Sequence, residues 1–563
     1  MDATDQFTDV DDPCEESPRL RTARFLQQAL KIGFWWQSVR GVAMRLGVPD
    51  STLRFQLHRF ENLLHDPDLS PTVVRFLESP DGVRFLHRLL VAEHLVFGLD
   101  NDCGIRNIGW FLRLAGLDRF VPASYGAQQT FAAQMETQLA EYGRQEEQRL
   151  ATDMPHREIS LVLDETFHPQ ICLVAIEPVS NYLLLEQYAP RRDAETWQQC
   201  LDERLASWSV NVCQVTSDEA KALIALAEQR LGAHHSPDLF HVQHETVQAT
   251  SLALAGQTRR AHAAVADAER RTAERSGELA ACQAQCPQSA QIAEFHLQLD
   301  GAAATEAEAR RRFAECQQRQ RQATEARHGL SHDYHPIDLE TGQPVTAVEV
   351  GQRLSGHFDQ LDQIARDASL SAHAKEKLAK ARRVLKAMQD TIAFFWVTVL
   401  ARLASWKLPE TQARWLREEL IPAVYLEHVA EKASTSAERE RLRTRAREIV
   451  ARARSPDGVW GTLSDVERND LMAKAHECAN IFQRSSSCVE GRNGQLSLRH
   501  HGLHRLTIRK LAALRVLHNF VIERPDGTTA AERCFGSRPN PVLPWLLARL
   551  PLPGRPRPRR VAA

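Results

Sequence analysis

The segment from Arg157 to His241 constrains the fold more than any other. It holds three apolar runs in quick succession, ISLVLD, ICLVAI and YLLLEQ, then a longer stretch, then a fourth run, VCQVT. Runs of this length, rich in branched residues and bounded by Pro, Asn and Asp, read as strands. Short links make the first three an antiparallel meander. Before the fourth, Trp197, Leu201, Leu205 and Trp208 recur at helical spacing between Arg192 and Ser209. A helical crossover lets the fourth strand pair parallel with the first. The prediction is a mixed sheet that begins an α/β core over residues 157–249.

In that topology the ends of the first and fourth strands lie side by side, which brings Asp164 and Asp218 together. Hard divalent cations prefer carboxylate oxygens. Two such ions can activate an oxygen nucleophile and stabilise a leaving oxygen at phosphorus. Asp at a strand end also forms turns and caps helices, so a structural role stands beside the metal-binding one. Glu165 should point to the opposite face of its strand, and a register slip of one residue would exchange it with Asp164. Further on, Asp238 can cap the next helix and do no more. It also shares a face of the first turn with His241, where the two could orient a phosphate or a water on the metal.

A third acid has to come from elsewhere, and the rest of the chain shows where to look. Residues 19–66 read as three helices with helix-turn-helix spacing: Ala43, Gly47, then Leu53, with the third helix started by Asp50 or Ser51. That helix would present Thr52, Arg54, Gln56, His58 and Arg59 to a major groove; a small bundle that touches no DNA has the same spacing. Residues 67–156 continue as packing helices. From 250 to 480 the chain is helical, with an Ala-, Glu- and Arg-rich part near 258–327 that suits a long hairpin. This block would be an insertion into the α/β core.

The chain carries 70 basic and 72 acidic residues, unevenly spread. Residues 1–18 form an acidic tail, expected to be disordered. Residues 491–563 hold fourteen Lys and Arg against three Asp and Glu, which points to a polyanion partner, and 546–563 form a basic tail. Eleven scattered cysteines and no signal peptide point to a reducing cytoplasm. No apolar run is expected to reach the roughly 18 residues of a membrane span. Within the basic stretch, Glu490 stands among Arg492, Arg499, His500 and Arg505, a setting that suits a metal ligand with phosphates held around it, or a charge-balancing surface residue.

Taken together, LVLDET with Asp164, TSDEAKAL with Asp218, DLFHV with Asp238 and His241, and SSSCVEGRN with Glu490 and Asn493 resemble the DDE transposases of bacterial insertion sequences. So does the later VIERPDGTTAAERCFG, with Arg524, Asp526, Gly527 and Thr528. The resemblance runs over roughly 157–536, and the inserted helices match in character only. It implies an α/β ribonuclease H-like catalytic core with a mixed sheet, mainly α-helical N-terminal and inserted domains, and a last core part over 481–545. It implies Asp164, Asp218 and Glu490 as the metal triad for two Mg2+ or Mn2+ ions. Asp238, His241 and Asn493 become accessory residues. Thr52, Arg54, Gln56, Arg59, Arg492, Arg499, His500 and Arg505 become DNA contacts. The partners implied are the element's terminal repeats, target DNA and further copies of the chain, in the bacterial cytoplasm at the nucleoid. Asp218 and Glu490 are 272 residues apart, a separation that only the insertion makes reasonable. A nuclease on the same core without strand transfer, and a DNA-binding protein whose acids are incidental, remain as other readings.

Overall fold

The computed structural model describes residues 17–32, 38–167, 169–285, 288, 290–456, 458–503 and 506–556. The acidic tail before Ser17, Arg505 and the last residues of the basic tail lie outside them. The described chain is mainly helical, with one mixed five-stranded sheet. The strands are β1 Arg157–Phe167, β2 Ile171–Glu177, β3 Tyr182–Tyr188, β4 Val210–Ser217 and β5 His234–Pro237, in spatial order β3-β2-β1-β4-β5. The meander is antiparallel, and β4 pairs parallel with β1, as expected from the helical crossover Ala194–Leu205. β5 was not foreseen. Its sequence, HHSP, has neither apolar alternation nor branched residues, and a proline at its end suits an edge strand.

Helices cover both faces, and for this reason Ile159 to Leu163 in β1 and Cys172 to Glu177 in β2 are buried continuously rather than alternately. The helix Tyr125–Thr152 and the helix Ile508–Phe520 pack closely, with Gly143 set against Val516 where any side chain would collide. Beside them, Glu147 accepts hydrogen bonds from Tyr182 Oη at 2.6 Å and from Arg204 Nη2 at 2.7 and 2.8 Å, and Arg515 lies 4.0 Å away. One buried carboxylate thus holds two guanidinium groups and ties together the 125–152 helix, the crossover and β3.

The hydrophobic residues fall into two cores. The first joins the N-terminal helices, the sheet and the helices from 487 to 552. The second is built from the start of the helix Leu239–Gln285, the end of its hairpin partner Ile292–Asp333, and the helices up to Phe482. One stretch in it, Ala372–Ser405, is long and apolar enough by length and composition to cross a membrane, which corrects the expectation that no run reaches that length. Here Met388, Ile392, Phe395 and Val399 of that stretch are buried within the second core.

The N-terminal helices are Pro18–Ile32, Val39–Leu46 and Asp50–Leu64. Gly47 closes the second at φ 64°, a backbone conformation natural to glycine. Pro49 occupies the cap position of the third, so Asp50 stands inside the first turn and pairs with Arg54 at 3.0 Å.

Removing the carboxylate of Glu147 should leave Arg204 and Arg515 buried and uncompensated. Glu147→Ala is expected to destabilise the fold by about 3–5 kcal/mol, read as a lowered urea midpoint; an unchanged midpoint would show that the network is not structural.

Candidate metal centre

The register of the sheet places the first acids. Val162 pairs with Thr216, so two residues further on Asp164 and Asp218 leave the parallel pair of strands at the same level. Ser217 pairs with Pro237, and Asp238 N donates back to Ser217 O at 3.0 Å, which puts Asp238 beside them. Successive strand residues point to opposite faces. Glu165 accordingly turns away, to Arg192 at 3.3 Å and Trp197 Nε1 at 3.3 Å on the crossover side, while Asp164 faces the other side.

On that side lies the helix Ser487–Leu503. Asp164 pairs with Val174, and Val174 with Glu186, so the two acids stand in one row across β1, β2 and β3. The helix grips both ends of this row. Asn493 Nδ2 donates to Asp164 Oδ2 at 2.7 Å, and Arg492 makes a two-pronged ion pair with Glu186 at 2.5 and 2.7 Å. Glu490, three residues before Asn493, shares its face of the helix and reaches the acids. The Arg492 side chain is only 5% exposed, which corrects the expectation that it contacts DNA. Arg499 is corrected likewise: it is bound to Asp102 at 2.8 Å and to the carbonyls of Leu99 and Asp100. His500 is half-buried near the end of this helix, its ring centroid 6.1 Å from that of His501.

The loop before the helix is fixed too. Ser486 donates to Asp238 through its backbone N at 2.8 Å and its Oγ at 2.6 Å, and Leu239 N donates to Arg484 O at 2.9 Å. Ser486 was not foreseen; the only signal was its place in a serine run just before Glu490.

Asp164, Asp218, Asp238, His241 and Glu490 therefore meet, with Asn493 against the first. The ligand atoms of Asp238, His241 and Glu490 all lie within 4.8 Å of one another. That group shares only Glu490 with the expected triad. Asp238 accepts from Phe240 N and Ser486 N on one oxygen and from His241 Nδ1 and Ser486 Oγ on the other. Its lone pairs are spent, so it orients His241 and anchors Ser486, leaving Nε2 as the free nitrogen of the imidazole. Asp164 and Asp218 carry fewer side-chain hydrogen bonds than Asp238 does. Asp218 Oδ1 does accept from Ala220 N at 3.0 Å, so the turn-forming role and a ligand role coexist.

Burial and like charge act on these acids. Burial first, then the facing Glu490 and Asp218, push Asp164 from its ordinary 3.8 up to about 7. Burial also raises Glu490, against the pull of His241. His241 is raised by its hydrogen bond to Asp238; Asp238, despite burial, is held low by His241 and Ser486. Arg492 and Arg499 are spent on Glu186 and Asp102, so these two do not neutralise the centre. A hard divalent cation fits this carboxylate set. Asn493 Oδ1, buried without a hydrogen-bond partner beside Asp164, offers one more acceptor.

On the helix Asp50–Leu64, Thr52, Arg54 and His58 are exposed, together with Phe55. Gln56 and Arg59 are not free to read a groove: Gln56 is bonded by Arg555, and Arg59 donates to Pro556 O at 2.9 Å and Arg119 O at 2.8 Å. The segment 550–556 is thus a strap on the N-terminal helices, held also by Arg19 on Pro553 O and His87 on Leu550 O. Arg524 to Thr528 form a tight turn, with Gly527 at φ 78° and Asp526 accepting from Thr528.

Residues 416–562, which include Glu490 and Asn493, match a family described as "Family of unknown function (DUF6399)". No curated protein and no solved structure matches the chain.

Between its unfolded pKa and about 7 the folded chain holds more protons on Asp164 than the unfolded chain does, so without metal this residue lowers stability as pH rises through that window. A divalent cation must displace that proton. Mg2+ or Mn2+ should therefore raise the thermal midpoint more at pH 8 than at pH 6. Asp164→Asn should raise the metal-free midpoint at pH 8 and abolish the metal increment. An equal increment at both pH values, or in the variant, would contradict the assignment.

Proposed function

We propose that the protein is a DNA transposase of the DDE type, built on a ribonuclease H-like core that the helical block interrupts. One observation carries the reading: Glu490, 272 residues beyond Asp218 in the chain, comes within 4.8 Å of Asp238 and His241, which the strand ends set beside Asp164 and Asp218. The strand order β3-β2-β1-β4-β5, with an antiparallel meander and parallel β4 and β5, supports the ribonuclease H-like description. Four of the motifs quoted for the resemblance, LVLDET, TSDEAKAL, DLFHV and SSSCVEGRN, carry the residues of the centre.

Divalent ions at Asp164, Asp218 and Glu490 would supply activation of the attacking oxygen and stabilisation of the leaving one. The chain's own residues set the geometry. Asn493 fixes the rotamer of Asp164, Asp238 fixes the imidazole of His241, and Ser486 fixes Asp238. His241, whose pKa the hydrogen bond to Asp238 raises, faces the site with Nε2 and, when protonated, can hold a phosphate oxygen or return a proton to a leaving oxygen. Hydrolysis at the element end and attack of the freed 3'-hydroxyl on target DNA are both in-line displacements at phosphorus, so one centre serves both. Two ends must be held at once, which calls for a dimer or larger assembly on DNA. The described cysteines are unpaired, in keeping with a role at the nucleoid in the cytoplasm.

The nuclease reading without strand transfer draws on a specific observation: Gln56 and Arg59, two of the expected end-reading residues, are occupied by the strap. The reading of a non-catalytic DNA-binding protein predicts no cleavage at all. With Mg2+ and DNA carrying the repeats that flank the coding sequence, the transposase should cut at the repeat and join the 3' end to a second duplex. Asp164→Asn, Asp218→Asn and Glu490→Gln should each lower both steps by about a hundredfold or more while the repeat remains bound in a gel shift. Cleavage without joining would favour the nuclease, and undiminished activity in the three variants would refute the triad.

A further inference from the structure

We infer that the strap 550–556 stands in for a DNA backbone on the N-terminal helices, and that a phosphate of bound duplex displaces it from Arg19 and Arg59. The inference rests on the reading above that these helices bind DNA. The strap reads LPLPGRP. Its prolines have no N–H, so it meets its neighbours mainly with carbonyl acceptors. The carbonyls in use are those of Leu550, Pro553 and Pro556, every third residue, which is the repeat of a polyproline II helix. His87 Nε2 lies 2.6 Å from the first, Arg19 Nη1 donates to the second at 3.2 Å, and Arg59 Nη1 donates to the third at 2.9 Å. Arg19 stands on the helix Pro18–Ile32 and Arg59 on Asp50–Leu64, so the strap bridges the two.

Charge makes this contact exchangeable. The strap brings in Arg555, which pairs with Glu78 and bonds Gln56. Three guanidinium groups then act on one carboxylate. Burial, and next the like charge of Arg555, lower Arg19 to about 10; burial and Arg555 also lower Arg59, against the pull of Glu78. Among the described residues, Arg19 Nε and Nη2, Arg59 Nε and Arg555 Nε are buried without a hydrogen-bond partner. Unpaired buried donors cost free energy, and each cation disfavours the others. Asp66 and Asp118 bring no relief, because Arg119 holds them at 3.1 and 3.0 Å.

A phosphodiester removes both faults. A carbonyl gives a guanidinium one oxygen and no countercharge, whereas a phosphate gives two free oxygens and a full negative charge in the fork geometry that arginine matches. When the strap carries Arg555 away, Arg19 and Arg59 face Glu78 with one positive charge in excess, the charge of a single backbone phosphate. The part that lifts is short. Leu550 is buried and held by His87, so it stays as the hinge; beyond it the buried apolar side chain is Leu552. Around Gly554 nothing lies within 4 Å of where a Cβ would stand, so the chain there is not packed in. Release of Arg555 also frees Gln56, which follows the exposed Thr52 by one turn on the same helix face. The occupied state of Gln56 and Arg59 is then the DNA-free state of a reading helix.

The test uses the full chain without Mg2+ and a 16-base-pair duplex of mixed sequence, since phosphate contacts do not depend on sequence. On binding, deuterium uptake across 550–556 should rise to that of an unstructured peptide. Leu552→Ser, which loosens the strap without changing its charge, should bind the duplex about tenfold more tightly, the scale of one buried leucine, with the same salt dependence. Adding Arg59→Ala to that variant should flatten the slope of log affinity against log salt by about one, as the loss of one phosphate contact does; a purely structural arginine would leave the slope as it was. Uptake across the strap that stays level or falls on binding overturns the inference, as does wild-type affinity in Leu552→Ser, an unchanged slope, or no binding of the duplex. Should Leu552→Ser fail to fold, the uptake of the wild-type chain decides alone. Cleavage of the repeats with Mg2+ is scored separately. Cutting without strap release removes this inference and leaves the proposed function, and strap release without cutting does the reverse.

Discussion

The buried ion pair between Arg492 and Glu186 is the constraint on which the centre depends. Both side chains are almost wholly removed from water, at 5% and 0% exposure, so each charge is tolerable only because the other is there. The pair fixes the roll and the height of the helix Ser487–Leu503 over β1 to β3. With that helix set, Asn493 meets Asp164 and Glu490 faces the strand ends. The two hydrogen bonds from Ser486 to Asp238 fix the start of the same helix. Glu490 is thus located by contacts on either side of it, and this brings an acid distant in sequence beside Asp238 and His241 at the strand ends.

The same contacts show how a large excursion is accommodated. The chain leaves the sheet at Asp238 and returns at Ser486, and these residues are hydrogen-bonded to each other, as are Leu239 and Arg484. The block between them has its own hydrophobic core, built around residues such as Phe358, Phe395, Tyr425 and Phe482. Since closure entropy grows only slowly with loop length, and the ends are pinned by specific bonds, the block adds little strain to the sheet. It meets the centre where Lys380 and Ala381 face Asp218 and His241 across the cleft.

Much of this was legible in the sequence because it depends on local pattern. Branched apolar runs gave β1 to β4, the crossover spacing gave the parallel pairing, and alternation put Asp164 and Glu165 on opposite faces. β5 escaped because HHSP carries no strand pattern and forms only against β4. The arginines were misjudged for a different reason. Local composition shows Arg492 and Arg499 as a basic cluster, but their partners, Glu186 and Asp102, lie about 300 and 400 residues away and become neighbours only in the fold. Gln56 and Arg59 were similarly claimed by the strap. The role of Asp238 could be divided from that of the other acids only once Ser486 was seen to consume its lone pairs.

The central claim is that Asp164, Asp218 and Glu490, drawn from three separated parts of the chain, hold a divalent cation together. Anomalous diffraction from crystals of the full chain soaked in Mn2+ tests this most directly. The account predicts an anomalous peak bonded to Asp164 and to Asp218 or Glu490, lost in crystals of Asp164→Asn. Manganese found only against Asp238 and His241, or no peak among these residues, would contradict it.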